Sequence, residues 1–246
     1  MEIKVSEIRK NALKGLGSKR WLSLGLIFLS LFGFLNLFII SELVSESLKG
    51  NQIIIETTAS LILRISFNFL ALFLLNWHYQ TIMGIKFKNL SKKLLLFLTV
   101  SVLIVFEGLF FYLIPFSFDV VIEVSRNSFV GSYEMFLLLD ILKIFFYLLA
   151  EIFHFIYSLR YFLCPFIIAN EPKARNREVI ASSVRKMRNE KNEAAVFILS
   201  TARFLVYSLF ILPAFHYLPK FFASIAVFGE YKLEKNRMMK QNRSYN

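Results

Sequence analysis

What most limits how this chain can fold is its series of long apolar windows. A helix needs about 20 mostly apolar residues to cross a bilayer. Four stretches qualify, 21–40, 59–77, 94–118 and 136–161, and the apolar tract 194–231 divides into a fifth and a sixth, 194–210 and 211–231. Composition agrees: 57% of the 246 residues are hydrophobic and 29 are phenylalanine, a larger apolar share than soluble domains carry. The predicted fold is all-α, a polytopic membrane helix bundle of about six transmembrane helices, with residues 1–231 as one integral membrane domain and 232–246 as a basic cytoplasmic tail. The first window is long for a signal peptide and lacks a small-residue cleavage site, so it reads as a retained anchor.

A formal net charge of +12 would suit nucleic acid if it formed one patch, so its placement decides. Lys and Arg collect in 1–20, 77–93, 160–193 and 229–246. The connections 41–58 and 117–135 hold only Lys49 and Arg126, against Glu42, Glu46, Glu56, Asp119, Glu123 and Glu134. Basic residues in short loops stay on the cytoplasmic side. Both termini and the second and fourth connections are therefore assigned to the cytoplasm, the location to the plasma membrane, and the span count to an even number. "PAFHYLP", Pro213 to Pro219, is expected as the outer turn between the last two helices, with a bend at Pro219. No nucleic-acid-reading module is present, and no nucleic acid partner is expected.

Two amphipathic pieces lie outside the windows. Val5, Ile8, Ala12 and Leu16 share one helical face, with Arg9, Lys10 and Lys14 turned away and Gly15 or Gly17 to end the helix. This predicts an N-terminal interfacial helix on the inner leaflet, held by apolar contact and anionic lipid headgroups. In the fourth connection Ile180, Val184 and Met187 form a narrow apolar stripe amid Arg177, Arg185, Lys186, Arg188 and Lys191. The expected role is a basic loop resting on lipid, with docking of a membrane or cytoplasmic protein partner as the other reading. The single cysteine, Cys164, has no disulfide partner in the chain and is expected to be a buried spectator thiol.

The window 136–161 contains "DILKIFFYLLAEIFHFIYSLRY". At 100° per residue Asp140, Lys143, Tyr147, Glu151, His154 and Ser158 fall on about one quarter of a helix. Charge in hydrocarbon is costly and faces the bundle interior. Arg64, Glu107 and Arg203, in three other windows, are candidate partners. Helical rise sets Arg64 level with Glu107, and Glu151 level with Arg203. The stripe is either a set of clasps fixing helix neighbours or a route for a proton, ion or polar substrate past Glu151 and His154; the balance of signs favours clasps. No G-x-S-x-G, H-E-x-x-H, G-x-x-x-x-G-K or G-x-G-x-x-G pattern occurs. His78, His154 and His216 fall at separate depths. No enzyme, catalytic residue, cofactor or metal is expected.

Two stretches carry a resemblance. "IRKNALKGLGSKRW" precedes the first window, and "YFLCPFIIANEP" leads into "EVIASSVRKM", with Tyr161, Pro165, Glu171, Pro172, Glu178, Ile180, Ser183, Met187 and Lys191 at the matching positions. These resemble the bacterial integral membrane family described as domain of unknown function 975. Asn189 stands where that pattern has glycine, and "PKFFASIAVFGEY" follows its ending loosely. The resemblance implies a multi-helix membrane protein and brings no catalytic residues. The expected function is non-enzymatic, through lipid or protein contacts at the basic cytoplasmic face. The alternative is a permease or the membrane subunit of an exporter or immunity system using the polar stripe, and a lipid-modifying enzyme comes third.

Overall fold

Glycine and asparagine set the punctuation between long helices. The computed structural model describes residues 12, 14–30, 39, 52–86, 89–128, 133–207 and 211–244, and every regular element among them is helical. A 3-10 turn at Gly17–Lys19 leads into a helical run over 20–30. There follow α1 (Gln52–Met83), α2 (Leu90–Ser128), α3 (Tyr133–Ser158), a second 3-10 turn at Leu159–Tyr161, α4 (Cys164–Asn170), α5 (Asn176–Met187), α6 (Lys191–Tyr207) and α7 (Ile211–Ser244). Gly84 ends α1 in the left-handed region at φ 66°, and Asn89 opens α2 at φ 54°, a conformation that glycine adopts freely and asparagine tolerates.

Two helical segments, Thr58–Met83 and Leu90–Leu113, are long and apolar enough to cross a membrane. Only 11% of the apolar window of the first and 39% of that of the second is buried inside the protein, whereas the core helix of a water-soluble domain would be covered. On α3, Leu138, Ile141, Ile144, Phe145, Leu148 and Ile152 each leave more than half of their surface open. Soluble monomers rarely expose apolar patches beyond a few hundred Å², so this surface points to membrane association.

α2 lies between α1 and α3, and α7 lies against α1 and α6. The main core gathers where α1 ends and α2 begins: Tyr79, Phe97, Leu163, Phe166, Val179, Met187, Phe197 and Phe228 are buried there. Phe197 and Phe228 stack with centroids 4.1 Å apart. The Phe166 ring occupies the place a side chain at Gly229 would need, so only glycine lets α4 approach α7 this closely. Cys164 is free and buried, and burial pushes its thiol up to about 12.

Three expectations are corrected. First, Pro213 to Pro219 is no turn but lies inside α7, which begins at Ile211. Pro213 sits in the first helical turn, where its missing N–H costs nothing, and Pro219 removes one intrahelical bond without ending the helix. Helix also continues beyond the apolar windows: α1 begins at Gln52, α2 runs to Ser128, and α7 carries on to Ser244. Second, the described part of the N-terminal amphipathic face packs on protein. Ala12 and Leu16 are buried with Ala223 against Trp77, Ile82 and Val227, and a Cβ at Gly15 would stand 2.6 Å from Ile82. Lys14 is exposed, while Val5, Ile8, Arg9 and Lys10 lie outside the described residues.

The third correction concerns α5, expected to rest its apolar stripe on lipid. Val179, Ser183 and Met187 are fully buried, and Ile180 and Val184 pack on the same core. Ser183 explains this placement. Its hydroxyl donates to the Arg160 carbonyl at 2.8 Å and accepts from the Leu163 N–H at 3.2 Å, satisfying backbone groups that the second 3-10 turn leaves over. At the start of α5 the Glu178 carboxylate accepts from the Arg175 backbone N–H at 2.9 Å. Lys92 donates to the Lys173 carbonyl at 3.1 Å, tying the loop before α5 to α2.

Candidate functional site

Tyr147 and His154 of the α3 polar stripe meet α2 in a seam. Asp140, Lys143, Tyr147, His154 and Ser158 are partly buried, whereas Glu151 is more open. Arg64 reaches in from α1: its Nη1 donates to the Tyr112 hydroxyl at 2.8 Å and its Nη2 to Glu151 Oε1 at 3.3 Å. The guanidinium lies 4.6 Å from the Tyr112 ring centroid, and Tyr147 packs against that ring at 6.3 Å. One turn along, His154 Nε2 donates to the Ile104 carbonyl at 2.8 Å. That contact exists because position 108 is glycine; a Cβ there would stand 2.8 Å from His154 Cε1. Ser158 donates to the Phe155 carbonyl within its own helix.

Glu107 closes the seam. It pairs with Arg160 in the second 3-10 turn and accepts the Tyr161 hydroxyl. Arg160 also donates to the Tyr157 and Tyr161 hydroxyls, each at 2.8 Å, and lies 4.1 Å from the Tyr157 ring centroid. The expected pairs Arg64–Glu107 and Glu151–Arg203 are therefore not formed. Arg64 takes Glu151, and Glu107 takes Arg160. Arg203 is exposed, 5.5 Å from the Phe204 ring centroid, because α6 packs chiefly on α7 and only lightly on α3.

Two further polar groupings were not foreseen. On α1, "NWHYQ" turns Asn76, His78, Tyr79 and Gln80 fully inward. Asn76 donates to the Pro165 carbonyl, and His78 stands between the Leu74 carbonyl at 2.8 Å and the Ser23 hydroxyl at 2.6 Å. Tyr79 donates to Glu230 and accepts from Asn170. Four polar or aromatic residues around a tryptophan at the end of an apolar window were the signal, since such groups need buried partners. In the second grouping Lys232, fully buried on α7, pairs with Glu190 and Glu193. Lys235 pairs with Glu190 at 3.0 Å and Glu193 at 3.5 Å. Two acids and two lysines, each spaced three apart, were the legible sign. Burial alone would raise the Glu190 carboxyl, but hydrogen bonds from Lys232 and Lys235 hold it below the usual carboxylate range. Lys235 is raised in turn by its hydrogen bond to Glu190.

A pocket of about 530 Å³ opens beside Arg160, lined by Arg160, Ala181, Val184, Arg185, Arg188 and Lys191. No member of the α3 stripe lines it. Arg177, Arg185 and Arg188 are exposed, and Lys186 and Lys191 partly buried. Among the described residues no carboxylate bridges to Arg185, Arg188 or Lys191. The Lys191 ammonium lies 5.1 Å from the Tyr157 ring centroid; burial, with the charge of Arg160 adding to it, pulls its pKa below the ordinary lysine value. Among the described residues, no three His, Cys, Asp or Glu side chains converge as metal donors.

Comparison with family models, with curated proteins and with solved structures finds no match.

Proposed function

We propose that this is a multi-pass membrane protein with six crossings and both termini in the cytoplasm, non-catalytic, acting through contact of its basic cytoplasmic face with anionic lipid headgroups. The observation behind this reading is the set of cations around the pocket at the end of α3, where Arg185, Arg188 and Lys191 have no bridging carboxylate among the described residues. Anionic headgroups contribute on the order of 1 kcal/mol per Lys or Arg held near a membrane surface. Kinship with the family named above belongs to the same proposal. Of its marker residues, Ser183 and Met187 are fully buried at the joint between α5 and the turn at Arg160, which makes them determinants of how the basic helix is held.

A transport role finds less support, since Glu151, Glu107 and His154 each have a partner within the protein: Arg64, Arg160 and the Ile104 carbonyl. The test uses the intact protein in nanodiscs. Raising the fraction of phosphatidylglycerol in phosphatidylcholine should raise the unfolding temperature, and added salt should reduce the gain. Equal stability in both lipids overturns the reading. Orientation is checked with Arg175→Cys: a membrane-impermeant maleimide should label it only after cells are opened, and labelling of intact cells would reverse the topology.

A further inference from the structure

We propose that the pocket beside Arg160 is a discrete binding site for one phosphate-bearing group, such as the phosphate of an anionic phospholipid. The inference deepens the lipid-contact reading above and rests on it for the source of the ligand, though not for the chemistry of the site. The lining supplies four cationic groups, Arg160, Arg185, Arg188 and Lys191, over an apolar floor of Ala181 and Val184. Arginine binds phosphate through paired N–H donors in a fixed fork, and lysine adds a compact charge. The volume of about 530 Å³ lies in the range of small-molecule sites and exceeds what a bare anion fills. A phosphate attached to an organic body fits both halves of the lining.

The cations differ in freedom. Arg160 is committed to Glu107, Tyr157 and Tyr161, so it forms a fixed wall with its charge already partnered. Arg185 on α5 and Arg188 just past its end are exposed. Lys191 begins α6 and is crowded by like charge from Arg160. An arriving dianion relieves that crowding. The framework is rigid because α5 is pinned through Ser183 to the backbone of the Arg160 turn.

The experiment places the full chain in phosphatidylcholine nanodiscs and follows its unfolding temperature in two titrations, one with phosphatidic acid in the bilayer and one with soluble glycerol 3-phosphate. Compared with the wild type are Arg185→Gln/Arg188→Gln, which removes two exposed side chains, Arg188→Gln/Lys191→Gln, and a control outside the pocket, Lys14→Gln/Arg177→Gln. The expected result is a stabilisation midpoint that moves about tenfold for each pocket cation removed and stays in place in the control. If phosphatidic acid stabilises the wild type and both pocket variants alike, the pocket is overturned and the broader lipid reading stands. If only glycerol 3-phosphate acts, and acts through the pocket residues, the site stands and the lipid reading falls. If neither ligand acts, both fall.

Discussion

Replacing Gly108 with alanine tests whether His154 is a clasp between α2 and α3. The added Cβ would stand 2.8 Å from His154 Cε1 and 2.9 Å from Nε2, where ordinary contact lies at about 3.5–4.0 Å. The ring must retreat by roughly 0.7 Å or more and cannot then keep its 2.8 Å bond to the Ile104 carbonyl. The lost hydrogen bond costs about 1 kcal/mol and the overpacking about 1–3 kcal/mol, while alanine's better helix propensity offsets about 1 kcal/mol. Gly108→Ala should therefore destabilise by about 1–3 kcal/mol net. His154→Ala removes the obstacle, so in that background Gly108→Ala should be neutral or stabilising by up to about 1 kcal/mol. The assay is reversible unfolding of the four proteins in one detergent, read as a double-mutant cycle. Additivity within about 0.5 kcal/mol, or a Gly108→Ala protein more stable than wild type, would refute the reasoning.

The same unfolding assay orders the two ion pairs. Arg64 and Glu151 are 41% and 53% exposed, so Glu151→Gln should cost about 0–1 kcal/mol; the Arg160–Glu107 pair is 19% and 16% exposed, and Glu107→Gln, which strands a mostly buried guanidinium, should cost about 3–5 kcal/mol, a reversed order counting against burial of the Arg160–Glu107 pair. Ser183→Ala leaves the Leu163 N–H unpartnered and should cost about 1–3 kcal/mol, with α5 becoming more open to limited proteolysis at Arg175; an unchanged protein would show that the hydroxyl is dispensable. For pH, Glu190 has a folded pKa below its ordinary 4.5, so its contribution is complete above that value and is lost as pH falls through the lower folded value. Glu190→Gln should show a flatter stability profile below about pH 4.5, and identical acid profiles would exclude the Lys232 and Lys235 contacts as the cause.

The windows 59–77 and 94–118 could be read from sequence because length and apolarity alone define a helix able to cross a bilayer, and both fall inside α1 and α2. Partner choice was less legible. Counting helical rise gives a side chain's height along its own axis but neither the direction it faces nor which helix stands beside it. That is why Arg64 and Glu107, level by that count, take different partners. Arg160, the residue that holds Glu107, lies in a 3-10 turn at the very end of the fourth window, where a count of charges well inside the window passes over it.

An apolar stripe flanked by basic residues looks the same whether the helix lies on lipid or on its own protein, so Ile180, Val184 and Met187 could not decide between them. Ser183 could, because it sits on the inward face beside those residues. Hydrocarbon offers a hydroxyl no partner, whereas a folded turn with unbonded backbone groups offers both a donor and an acceptor. Once α5 is placed by that serine, Arg185, Arg188 and Lys191 come to rest beside Arg160, residues distant in sequence that only this packing brings around one pocket.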